Sequence, residues 1–571
     1  MKPLRNILIL IMVQVLITAC HSIAGKEPYA TKVISTSTND LKGTEPKRPE
    51  FTAAPVENLT GLEPGWWNDA VFYEIFVRSF KDSNADGIGD FNGITEMLDY
   101  LNDGDPTTKD DLGITGIWLM PITESNSYHG YDVVDYYNVD TEYGTKEDFL
   151  RLVDEAHKRG IRVIVDLVLN HTSIDNPWFK KSDAGDPQFR DWYIWSPTDP
   201  GYLGPWGEQV WYAGNSGYYY AVFWSGMPDL NLKNPAVTQE IYKITKFWLT
   251  DMNVDGFRLD AIRHFVENSS LQENTNDTHT WLQGYNKFYK SLDPAVFTVG
   301  EAWTDTAEVI DYVGDEVDIA FDFDLAEAFV RAANGPIVSN ATKQLSTVLK
   351  SYPMGQFGIF LTNHDQDRVM SVFGDDVQKA KMVAVMMLTS PGVPFVYYGE
   401  EIGMTGSKPD ENIRRPMQWN GNRAAGFTTS TPWRPVASDY HGTNVATENA
   451  DPDSLLNLYR VLIQLRNDHA SLRTGKTLIL ETGTQRLYAI LRYNETEAFL
   501  ILINVHSKPL NTKLYDLSAG VWPLPANYFV STVLGMEDPA MPQLNGVGGI
   551  DGYHPFDEFP PKSYIILHFT P

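Results

Sequence analysis

The sequence predicts an α/β protein: a closed (β/α)8 barrel with a small inserted domain after its third strand and a C-terminal antiparallel β-sandwich. Three observations carry this expectation. Eight short apolar runs alternate with longer stretches of helical periodicity, which is the pattern of a parallel sheet covered by helices. Four of those runs end in charged or imidazole groups, at Asp166, Asp260, Glu301 and His364-Asp365, and barrel chemistry gathers at the strands' C-terminal ends. Two regions, 170–230 and everything after about Gly475, break the alternation.

The N-terminus reads as a targeting segment. Lys2 and Arg5 form a basic n-region, and Ile7 to Thr18 form an apolar run too short to cross a bilayer. Leu16-Ile17-Thr18-Ala19-Cys20 sets small residues before a cysteine, as in a bacterial lipobox cleaved ahead of Cys20. Residues 1–19 are therefore expected to be removed, leaving the protein exported and held by lipid on Cys20 at the cell surface or outer membrane. The alternative is a plain secretory signal. Cys20 is the only cysteine, so no intramolecular disulfide is possible. Residues 20–64, polar and without periodicity, read as a flexible tether.

The barrel is expected over 65–169 and 231–474. Its strands are Val71–Ile75, Gly116–Met120, Ile161–Asp166, Gly256–Asp260, Phe297–Glu301, Asp318–Phe321, Gly358–Thr362 and Val393–Tyr398. Amphipathic helices are expected from about Lys146 to Arg159 and from Thr238 to Asp251. The segment 170–230, rich in Gly, Pro, Trp and Tyr, reads as the inserted domain. Strand-like runs such as Arg486–Leu491 and Ala498–Ile503 place the sandwich over 475–571.

With 571 residues, 43% of them hydrophobic, the chain is long enough for a large core and several domains. A net charge of −29 argues against nucleic acid, because nothing here could neutralise phosphates. Aromatic residues make up 12% of the chain, enough to fill the core and still leave rings for stacking on sugars.

Arg258 and Asp260 are the most informative pair. In a strand, residues i and i+2 point to the same side, so a cation and a carboxylate share one face of a buried run. A lone pair of this kind also serves as a structural bridge. Three other strands ending in polar groups turn the reading toward catalysis.

At this point the motifs acquire a resemblance. Asp166-Leu167-Val168-Leu169-Asn170-His171, Gly256 to His264, Gly300-Glu301-Ala302-Trp303 and Phe360 to Asp365 resemble, in order, four conserved regions of the α-amylase superfamily, glycoside hydrolase family 13. Met227-Pro228-Asp229-Leu230-Asn231 resembles a fifth, in the form seen between oligo-1,6-glucosidases and neopullulanases. The resemblance implies a retaining glycosidase with Asp260 as nucleophile, Glu301 as acid/base and Asp365 gripping substrate hydroxyls. Such chemistry needs two carboxyl groups about 5–5.5 Å apart. Arg258 would hold Asp260 ionised, and Tyr131, Asp132, His171, Arg263, His264 and His364 would line the sugar site. Asp166 and Asn363 either take part or support Arg258 and the loops. Ala261 stands where α-1,6-cleaving relatives carry valine, leaving room for an α-1,4 chain. Glu400-Glu401, after the eighth strand, imply no chloride requirement.

Asp82-Ser83-Asn84-Ala85-Asp86-Gly87-Ile88-Gly89-Asp90 alternates oxygen ligands around a glycine, like an EF-hand loop, but Gly93 stands where the distal glutamate belongs. By resemblance Asp82, Asn84, Asp86, the Ile88 carbonyl and Asp90 hold Ca2+, and Asn170 belongs to a further site. The expected activity is α-amylase hydrolysis of internal α-1,4 bonds in starch or maltodextrin by a monomer. Neopullulanase, cyclomaltodextrinase, α-glucosidase and transglycosylase are alternatives on the same scaffold. A non-catalytic amylase-like binding protein would have lost the carboxylates that this chain keeps.

Overall fold

The computed structural model describes residues 60–571 except Ala526. The expected signal peptide, the lipid-anchor cysteine Cys20 and the tether up to residue 59 lie outside the described residues. The chain is fixed earlier than the expected boundary at 65: Thr60 donates from its N–H and its Oγ1 to Asp293 Oδ2 at 2.7 and 2.8 Å.

All eight expected barrel strands form. They are β1 (Phe72–Ile75), β2 (Gly116–Leu119), β3 (Arg162–Leu167), β4 (Gly256–Leu259), β5 (Phe297–Gly300), β6 (Ile319–Phe321), β7 (Phe357–Ile359) and β8 (Val393–Tyr397). Each pairs in parallel with the next, and β8 closes on β1 in the register Phe72↔Phe395. Parallel strands under helices are buried on both faces, which is why they read as unbroken apolar runs. Rings fill the barrel axis, with Phe72 stacked on Phe395 at 4.8 Å and on Phe297 at 5.3 Å. Gly256 opens β4 because a Cβ there would lie 2.0 Å from the Phe297 carbonyl oxygen.

The helices start where capping chemistry puts them. Helix α1 (Lys146–Lys158) opens on a capping box in which Thr145 Oγ1 accepts from the Asp148 N–H and Asp148 accepts from the Thr145 N–H. Helix α2 (Pro235–Thr250) begins three residues before the expected Thr238, because Asn234 caps it and Pro235 fits its first turn. Between β3 and α2 the insert holds a short helix, Pro177–Asp183, and a three-stranded sheet from Trp195–Ser196, Trp211–Gly214 and Gly217–Tyr220.

Helix α3 (Leu455–Asp468) leads into the C-terminal domain. Its main sheet, in spatial order, is β9 (Lys476–Ile479), β10 (Leu487–Tyr493), β11 (Ala498–Asn504), β13 (Ser563–Thr570) and β12 (Phe529–Leu534). Successive side chains serve two cores. Leu487, Ala489 and Leu491 pack in the domain's own core, whereas Tyr488, Ile490, Phe499 and Ile501 join the core of the barrel.

Candidate active site

Three strand ends converge on one guanidinium. Arg258, on β4, is 1% exposed and its Nη1 donates to both Asp166 oxygens at 2.9 Å and to Asp260 Oδ1 at 2.5 Å. Its Nη2 lies 2.8 Å from Glu301 Oε2, which also accepts the Ala261 N–H at 3.0 Å. One cation thus sets the mutual geometry of three carboxyl groups, with a planar fork suited to that task. Ala261 adopts φ 50°, left-handed backbone that is uncommon for a residue with a Cβ, and this turns its N–H onto Glu301.

A second network abuts the first. His364 is fully buried, with Nδ1 2.5 Å from Glu74 Oε1 and Nε2 3.1 Å from Asp365 Oδ2 and 2.6 Å from the Tyr131 hydroxyl. Tyr131 donates onward to Asp166 Oδ2 at 3.1 Å. Burial works against the charge on His364, but Asp365 and Glu74 together raise its pKa to about 10, so the ring is an imidazolium that donates from both nitrogens. Asp365 also accepts from Arg414 Nη2 at 2.7 Å. Against the cost of its burial, His364 and Arg414 hold its carboxyl far below the usual range, fixing it as an anion. Burial pushes Glu301 the other way, up, with Arg258 opposing and the Asp260 charge adding to the rise. Burial also raises Asp260, against the pull of Arg258. Burial thus favours the protonated form of both Asp260 and Glu301, with Arg258 opposing it, while Asp365 beside them stays an anion.

These groups open on a cleft of about 750 Å³ lined by Asp260, Glu301, Asp365, Tyr131, His171, Arg263 and His264. Arg258 and His364 sit behind the lining. His171 gives Nε2 to the Tyr131 carbonyl at 3.1 Å, and burial lowers its pKa to about 4. His264 is likewise lowered to about 4 by burial and gives Nδ1 to the Gln272 carbonyl at 3.0 Å, which leaves Nε2 as an acceptor. Arg263 donates to the Trp303 carbonyl and to Glu273, so its charge is already paired at the rim. Asp132 lies just behind the lining, 3.9 Å from His129, and does not face the cleft itself. It accepts from Ser125 Oγ at 2.7 Å and from Ser127 Oγ, pinning the turn that carries Tyr131.

Sequence reasoning missed His129, Trp206, Phe223, Trp224, Met227, Trp303, Asp410 and Arg414 in the lining, and Glu74 beneath it. Met227 and Trp303 stood inside motifs already singled out, and Glu74 left a signal of its own, a carboxylate inside the apolar first strand. Trp206, Trp224 and Trp303 are 60%, 51% and 44% exposed, large rings turned to solvent at the mouth of the cleft.

The loop Asp82–Asp90 offers oxygen donors only. Asp82 accepts the N–H groups of Asn84, Ala85 and Gly87, while Asn84 and Asp86 accept those of Asp86 and Ile88. Asp90 caps the helix Phe91–Glu96 through the Gly93 N–H, and so the chain turns away where an EF-hand would place its glutamate. Asp82 and Asp90 are buried, and among the described residues no lysine or arginine pairs with Asp82, Asp86 or Asp90. This donor set fits a hard cation such as Ca2+. Asn170 donates to Asp229 at 3.0 Å, and its buried Oδ1 has no hydrogen-bond partner.

The family profile of the alpha-amylase catalytic domain matches residues 74–475. Alpha-amylase 3 of Dictyoglomus thermophilum is 39% identical over 454 residues, covering 77% of this chain and 85% of that one. An oligo-1,6-glucosidase of Parageobacillus thermoglucosidasius is 34% identical over 532 residues, covering 79% and 92%. The crystal structure of an alpha-amylase from H. orenii aligns with a TM-score of 0.76 at 39% identity, covering 87% of this chain and 99% of that one. The chain belongs to the alpha-amylase family, glycoside hydrolase family 13, and is a glycoside hydrolase.

Proposed function

We propose that the enzyme hydrolyses internal α-1,4-glucosidic bonds of starch and maltodextrin with retention of configuration. Asp260 attacks the anomeric carbon, and Glu301 protonates the departing glycosidic oxygen. Glu301 then takes a proton from the water that releases the glycosyl-enzyme. The observation that carries this reading is the Arg258 fork, which holds Asp260 and Glu301 together on the cleft wall. Asp365, anchored by His364 and Arg414, is an anionic acceptor for sugar hydroxyls beside them. Support for a polymeric α-1,4 substrate comes from the tryptophans at the cleft mouth and from the small Ala261 after the nucleophile.

A second reading, cleavage of short α-1,6-linked oligosaccharides, is favoured by the likeness to oligo-1,6-glucosidases. Chromatography of early products separates the two. Mixed maltooligosaccharides from amylose, with isomaltose left intact, support the first. Glucose alone, together with turnover of isomaltose, overturns it.

The Asp82–Asp90 loop is proposed to hold a structural Ca2+ through Asp82, Asn84, Asp86, the Ile88 carbonyl and Asp90, with Asn170 contributing to a second site. The N-terminal motif supports attachment to a membrane through lipid on Cys20.

A further inference from the structure

The junction between the barrel and the C-terminal domain carries a cluster that glycoside hydrolysis does not use. His469 follows helix α3, Glu497 precedes β11, and His568 lies on β13 opposite Phe499. We propose that His469, Glu497 and His568 form a binding site for Zn2+ that fastens the C-terminal sheet to the end of the barrel.

The geometry supports a site with three protein ligands. Glu497 Oε2 stands 2.7 Å from His469 Nδ1 and 3.2 Å from His568 Nε2, and all three atoms lie within 4.8 Å of one another. Ligands about 2.0–2.1 Å from a tetrahedral Zn2+ are roughly 3.3 Å apart, so little movement separates this arrangement from a coordinating one. Two imidazoles and a carboxylate select a borderline transition ion over Ca2+, which takes oxygen ligands. Supporting contacts orient the set. Ser471 Oγ donates to Glu497 Oε1 at 2.8 Å, leaving Oε2 as the ligand atom. The His568 ring is stacked on Phe499 at 4.2 Å and 6°, which fixes the direction of Nε2. The three side chains are 27%, 15% and 18% exposed, open enough for an ion to enter and for water to fill the fourth position.

None of the three lines the catalytic cleft. They come from three segments far apart in sequence, so a shared ion would link the last helix of the barrel to two adjacent strands of the sheet. The loss of any one ligand should weaken binding by more than the about 100-fold that outer-shell losses reach.

The test uses the full chain bearing Asp260→Asn and Glu301→Gln, so that the catalytic carboxylates do not take up the metal. The protein is stripped with chelator, returned to excess Ca2+ and titrated calorimetrically with Zn2+. One tight equivalent is expected. It should be lost on adding His568→Ala or Glu497→Gln, and Zn2+ should raise the Tm of the parent only. Binding that persists unchanged in both variants, or no stoichiometric binding by the parent, overturns the site and leaves a carboxylate bridging two histidines. Should either variant misfold, Co2+ loaded into the parent decides. Visible bands of a four-coordinate ion, displaced by one equivalent of Zn2+, support the site, and a hexaaqua-type spectrum overturns it.

Discussion

Replacing Arg258 by methionine should move the whole pH–rate bell to higher pH. The guanidinium contacts Asp166, Asp260 and Glu301 at 2.5–2.9 Å with 1% exposure, so all three carboxyl groups feel it in a poorly solvated place. At an effective dielectric constant of about 20, two unit charges about 4 Å apart interact by about 4 kcal/mol. At 1.36 kcal/mol per tenfold change in proton affinity, that bounds the effect at roughly three pH units for any one group. Burial already raises Asp260 and Glu301 against the pull of Arg258, and without the cation it acts unopposed. The sign follows from the roles proposed for the two carboxyl groups. The acid limb of kcat/KM reports Asp260 losing its proton, and the alkaline limb reports Glu301 losing its own, so both limbs shift upward as macroscopic values of the pair. Because three groups share one cation, a shift of about one to three units is expected. Removing one partner of a buried ion pair also costs about 3–5 kcal/mol of stability, so the Tm must be checked first. Arg258→Lys is the control. It keeps the charge and loses the fork, so the limbs should stay within about half a unit while kcat falls. Profiles measured on a soluble chromogenic maltooligosaccharide decide the matter. A folded methionine variant with unmoved limbs, or a lysine variant that shifts as far, would refute the electrostatic reasoning.

Asp260→Asn and Glu301→Gln should each lower kcat by at least about 10²-fold with KM little changed, since aromatic and hydroxyl contacts to substrate remain; a variant keeping a tenth of the activity would unseat its assigned role. Chelator should lower the Tm of the wild-type protein but not that of Asp86→Ala, because an ion present at a hundredfold excess over its Kd stabilises the fold by about 2.7 kcal/mol. Equal melting of both proteins with and without chelator would remove the calcium proposal. Expressed with its leader in a bacterial host, the wild-type chain should fractionate with membranes and Cys20→Ser with the soluble pool. The two or three acyl chains of a lipoprotein hold firmly where one is marginal, and identical partitioning would leave an ordinary secreted enzyme.

The barrel was legible because burial on both faces forces its strands into continuous apolar runs, and a polar residue such as Asp260 or Glu301 at the end of a run then stands out. The C-terminal sheet was legible as strands for a related reason but not as a contact surface. Leu487–Tyr493 shows no alternation because its two faces pack against two different cores, a fact that lies in the partner rather than in the strand. The substrate side of the cleft was harder to read. Trp206, Trp224 and Arg414 reach it from long connections whose course depends on distant contacts, such as Arg414 Nε on the His364 carbonyl at 2.8 Å. Asp132 shows the converse. Its place beside Tyr131 pointed to the sugar, yet two serine hydroxyls turn it inward to fix the loop that presents Tyr131. A motif therefore records which residues a site requires together. Whether a given carboxylate meets the substrate or aims a neighbour depends on the donors around it, and here the two short-range donors Ser125 and Ser127 already lay beside it in the sequence.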